Sequence, residues 1–123
     1  MAAMWAECWA NIDAGQDVEN NRRELQHLMT FAGMHSEEPP REFSDQVHES
    51  FLRAVMQSNS WLAVIQIQDV FGQTARFNVP GSTSSANWSA RLSQTVKQLD
   101  ADPALLAKAA MFSRLAKEAG RTV

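Results

Sequence analysis

The sequence has one cysteine, Cys8, and no tyrosine, so an internal disulfide framework is excluded. No cysteine and histidine spacing resembles a zinc site, and the lone thiol fits a reducing cytoplasm. Charge of one sign is also scarce. Eleven basic against fourteen acidic side chains leave a net charge of −3, which argues against a surface that tracks nucleic-acid phosphates. Apolar runs such as Trp61 to Ile65 fall far short of the roughly 20 residues that span a bilayer. The opening residues meet Glu7 early and carry no basic stretch, so they do not read as a secretory signal. At 123 residues the chain is also too short for a closed eight-stranded β/α barrel of roughly 250 residues.

What is present is an ordinary globular composition, 45% hydrophobic and 20% charged, enough for a core. Met4, Trp5, Cys8, Trp9 and Ile12 form one helical stripe, which predicts a first helix over 3–15 that ends at Gly15. Trp5, Trp9 and Cys8 read as core packing. A second helix is predicted from an Asp17 N-cap, with Val18, Leu25, Leu28, Met29 and Ala32 on one face and Gly33 closing it. Residues 34–40 have turn chemistry and read as a linker. A third helix over 41–58 carries Phe43, Val47, Phe51, Ala54 and Val55. His27, His35 and His48 lie on different segments and read as surface histidines.

The period then changes. Trp61 to Asp69 is β-branched and becomes alternating, which predicts the chain's one strong strand, with 74–79 as a weak second strand or extended loop. Trp88, Leu92, Val96 and Leu99 predict a fourth helix. Asp102, Pro103 and Gly120 punctuate a fifth, whose buried side is Leu105, Leu106, Ala109, Phe112 and Leu115. The organisation is a helical part over 1–60, a strand and loop over 61–82, and C-terminal helices over 83–123. The expected class is mainly α with one short strand or hairpin. A lone strand leaves backbone groups unpaired on its edges, so the strand must meet 74–79, a second copy of the chain, or other parts of a larger sheet.

The most informative stretch is Gln68-Asp69-Val70-Phe71-Gly72, then Arg76-Phe77-Asn78-Val79-Pro80-Gly81-Ser82, then Asn87-Trp88-Ser89-Ala90-Arg91. It resembles the C-terminal end of the 4-alpha-glucanotransferases, the amylomaltases or disproportionating enzymes of glycoside hydrolase family 77. That family shows an apolar strand running into Gln-Asp and an apolar-Gly pair, then Arg-x-Asn-x-Pro-Gly-Thr, then Asn-Trp-x-x-Arg. Gln68, Asp69, Gly72, Arg76, Asn78, Pro80, Gly81, Asn87, Trp88 and Arg91 match it as they stand. Ser82 replaces the usual threonine, Phe71 a common leucine, and Ala90 a frequently larger residue.

The resemblance implies a piece equivalent to the last β/α portion of a (β/α)8 barrel, acting on maltooligosaccharides or other alpha-1,4-glucans. Barrel sites lie at the C-terminal ends of the strands, which is where Gln68 and Asp69 close the predicted strand. The implied substrate-side residues are Gln68, Asp69, Asn78, Pro80, Gly81 and Trp88. The nucleophilic aspartate, acid glutamate and second aspartate of the family lie on earlier strands, so no catalytic residue is carried over, and no metal or cofactor is implied. Read without the resemblance, Gln68 and Asp69 cap a turn, Asn78-Val79-Pro80-Gly81 is itself a turn, and Trp88 and Arg91 pack.

Two functions follow as expectations. One is a C-terminal piece of a glucan transferase, inactive alone and partnered by the remainder of a barrel. The other is a non-enzymatic helical assembly or glycan-binding module derived from that family. Open strand edges and uncovered apolar faces predict a homo-oligomer, with a two-fold dimer the simplest form.

Overall fold

The computed structural model describes residues 1–35, 38–79, 81–85 and 87–121. Among the described residues six helices follow in order: α1 (Ala2–Asp13), α2 (Val18–Phe31), α3 (Asp45–Met56), α4 (Ile67–Val70), α5 (Val96–Ala101) and α6 (Pro103–Glu118). The mainly helical class stands. The linker's Ser36 and Glu37 lie outside the described residues.

Helix ends follow local chemistry. Ser44 accepts from the Val47 N–H and starts α3. Asp102 accepts from the Ala104 and Leu105 N–H groups, with Pro103 at the first position of α6. Asp17 precedes α2, but in a left-handed conformation and without a side-chain cap bond to the backbone. Its carboxylate instead accepts from Asn20 Nδ2 at 2.9 Å.

Two cores hold the helices. Trp5, Cys8, Leu25, Met29, Met34, Val47 and Phe51 form the larger, which joins α1, α2 and α3. The Trp5 ring meets Phe43 and Phe51 edge-on at centroid distances of 5.8 and 6.2 Å. The indole N–H groups of Trp5 and Trp9 both donate to the Pro40 carbonyl, at 3.2 and 3.0 Å, fixing the chain's entry toward α3. Burial pushes the Cys8 thiol up, with Glu24 and Glu7 acting the same way, so it behaves as a small hydrophobe. The second core is Leu52, Met56 and Leu115, between α3 and α6. Arg114 and Arg53 bridge Glu49 and Glu118 over its surface.

The predicted strand is not present. Residues 61–66 form no ladder, 67–70 turn into the single-turn α4, and no strand occurs among the described residues. Trp61, Leu62 and Val64 are 97%, 66% and 83% exposed. The reason is physical: β-preference is mostly packing against neighbouring strands, and the backbone bonds that 74–79 makes to later residues among the described ones, Ser82 N–H to the Val79 carbonyl and Trp88 N–H to the Phe77 carbonyl, belong to a loop and not to a ladder. The fourth predicted helix is also shorter. Thr95 and Gln98 form a reciprocal capping box that starts α5 at Val96, leaving Trp88 and Leu92 outside it. On α6, Leu115 is buried as expected, but Leu106 and Ala109 are exposed.

Candidate functional site

The α4 turn begins at Gln66 and ends at Gly72, whose φ of +67° lets the chain reverse. It places Gln68 and Asp69 beside the 73–78 segment. Gln66, Gln68, Asp69, Gln73, Arg76 and Asn78 line one open cavity of about 210 Å³, together with Met1, Ala3 and Met4 of the first helix region.

Gln68 is 4% exposed. Its Nε2 donates to Gln66 Oε1, while its Oε1 is the one buried side-chain polar atom among the described residues without a hydrogen-bond partner. A buried acceptor left so carries a desolvation cost of about 1–3 kcal/mol. Asp69 is half-buried, and its Oδ1 accepts from the Met1 amino group at 2.5 Å. Arg76 donates to Glu7 Oε2 at 2.5 Å. Asn78 is half-buried on the same wall.

The other implied residues lie apart from the cavity lining. Pro80 lies outside the described residues. Gly81 is exposed with φ +75°. Trp88 is 73% exposed and held at φ +65°, a conformation uncommon for a bulky residue, so the packed tryptophan of the sequence reading is corrected to an exposed one. Asn87 organises this loop: its Oδ1 accepts from the Val79 N–H at 2.9 Å, and its Nδ2 donates to the Ser82 carbonyl at 2.9 Å. The motif thus delivers Gln68, Asp69 and Asn78 to one cavity and sets Gly81 and Trp88 on a braced loop.

Sequence reasoning missed His48. It is 1% exposed, not a surface residue. Its Nε2 lies 2.7 Å from the Asp69 carbonyl oxygen, and because a carbonyl only accepts, that nitrogen carries the proton. Nδ1 is then an acceptor, and Lys108 Nζ stands 3.3 Å from it. Lys108 also binds Asp45, whose carboxyl is held below its ordinary range chiefly by that hydrogen bond. A signal was available: His48 precedes Phe51 by three and Leu52 by four positions, on the apolar side of α3. His27 and His35 are exposed, as read.

The arrangement offers amide and carboxylate hydrogen-bonding groups, suited to polyhydroxylated ligands. Among the described residues no three histidine, cysteine, aspartate or glutamate side chains gather as a metal site, and no helix is long and apolar enough to cross a membrane. These features define a helical chain with an amide-lined polar cavity. Comparison with known families gives the rest: the glycoside hydrolase family 77 profile, described as 4-alpha-glucanotransferase, matches residues 2–97. The chain belongs to the 4-alpha-glucanotransferase family. No curated protein and no solved structure matches it.

Proposed function

We propose that this chain is the C-terminal piece of a 4-alpha-glucanotransferase, contributing substrate-side residues to a site whose catalytic carboxylates lie outside it. The observation that carries the reading is the convergence of Gln68, Asp69 and Asn78, three positions of the family motif, on one cavity with an unsatisfied buried acceptor at Gln68. Gln68 and Asn78 amides can donate to and accept from sugar hydroxyls, and Asp69 accepts from them. Retaining glycosyl transfer needs two carboxyl groups about 5–5.5 Å apart across the scissile bond, and the family motif carried by this chain includes only Asp69 of that type.

In this reading residues 61–66, which form no ladder here, take up the strand their sequence favours when neighbouring barrel strands pair with them. Barrel closure would remove both open edges. The experiment is complementation. A family enzyme truncated before its last barrel strand is mixed with this chain, and glucose release from maltotriose is followed. The chain alone is expected to release none, and the mixture to release it. Activity of the chain alone, or none from the mixture, would overturn the reading.

A further inference from the structure

The Gln68–Asp69 turn is not held by its own hydrogen bonds alone. His48 on α3 is buried beneath it, with Nε2 donating to the Asp69 carbonyl at 2.7 Å, and Gly72 packs so closely that a β-carbon there would lie 3.2 Å from the ring. On the ring's other nitrogen, Lys108 of α6 reaches Nδ1 at 3.3 Å and is itself held by Asp45. These contacts run unbroken from α6 through α3 to the turn.

We propose that His48 is the positioning residue of the candidate site, fixing the Gln68–Asp69 turn through the Asp69 carbonyl and tying it to Lys108, so that a second proton on the ring cuts the tie to Lys108 while the bond to the Asp69 carbonyl stays. Its functional consequence rests on the glucan reading above. The charged groups facing the ring are Lys108 from α6, Asp45 from its own helix, and Asp69 from α4, with the Met1 amino group on the Asp69 carboxylate.

The chemistry is directional. A second proton on the ring would turn Nδ1 from acceptor to donor and face it to the Lys108 ammonium, so that contact cannot survive. The new cation would also be buried, which desolvation opposes. Burial accordingly holds the His48 ring below the ordinary histidine value; the Asp69 carbonyl opposes this, Lys108 adds to it, and Asp45 and Asp69 oppose it.

The test is an NMR titration of the full chain from neutral to mildly acidic pH, reading imidazole and backbone amide signals. The His48 ring should titrate below the ordinary histidine value, and the Val70, Gly72 and Gln73 amides should move with its midpoint. Lys108→Met should raise that midpoint. His48→Gln, which retains a donor at the Nε2 position, should hold the turn amides at their neutral-pH positions and abolish their titration, whereas His48→Leu should displace them. The Trp5 indole signal reports that each variant stays folded. Turn amides that ignore the His48 midpoint, or glutamine and leucine variants that behave alike, would overturn the proposal. Maltoheptaose added at neutral pH should shift the Gln68 and Asn78 side-chain amides and bind about tenfold more weakly to His48→Leu, which lacks the bond to the Asp69 carbonyl, the effect of one net hydrogen bond. If it shifts nothing at any pH the glucan reading fails, and the amide titration alone decides the role of His48.

Discussion

Gly72 lies against the face of His48, with a would-be β-carbon 3.2 Å from ring Cε1 and Nδ1. The same glycine has φ +67°, in the left-handed region. Gly72→Ala therefore meets two penalties, backbone strain and a contact with an immobile buried ring. We expect a loss of about 1–3 kcal/mol, read as a lower midpoint in urea denaturation. At Gly15, where nothing lies within 4 Å of a would-be β-carbon, the same substitution should cost only the strain part.

Stability should fall with acid in a window assigned to His48. Its folded-state ring is held below the ordinary histidine value, so the unfolded chain binds the proton first as pH drops. The stabilising contribution is complete above the ordinary histidine range and is lost as pH falls through it toward the folded value, at about 1.4 kcal/mol per pH unit for one proton. Asp45, Glu49 and Glu118, whose carboxyls are lowered by lysine and arginine partners, lose their contributions at lower pH still. Denaturant titrations between the histidine and carboxylate ranges should show this slope in the parent chain and a flat line in His48→Gln.

Much of this architecture is legible in the sequence, because the signals involved are local. The Trp5–Cys8–Trp9 stripe, Gly33, and the Asp102–Pro103 start of α6 act within a turn or two of themselves, and the helices form where those residues lie. The strand over 61–69 was not obtained, because its preference is for neighbours that these residues do not have. The alternation of Ile65 and Ile67 was real, but Ile67 is the first residue of a helical turn. Of the site, the family motif pointed to the Gln68, Asp69 and Asn78 wall. His48 escaped because its role depends on Asp69 and Lys108, 21 and 60 positions away, which spacing within one segment cannot reveal.

The exposed run of Trp61, Leu62 and Val64 should drive association. Burying apolar surface contributes about 25 cal/mol per Å², and closed two-fold pairing is the commonest outcome. Light scattering at high concentration should give a dimer mass, and Trp61→Ser with Val64→Ser should shift it toward the monomer. A parent chain that stays monomeric would show that this surface has no affinity for itself.

The most direct test of the glucan-contacting site is calorimetric titration of the chain with maltoheptaose. The account predicts saturable heat at neutral pH, with Asn78→Ala and Asp69→Asn each binding about tenfold more weakly and Asn11→Ala unchanged. Absence of saturable heat, or equal affinity in the Asn78→Ala chain, would contradict it.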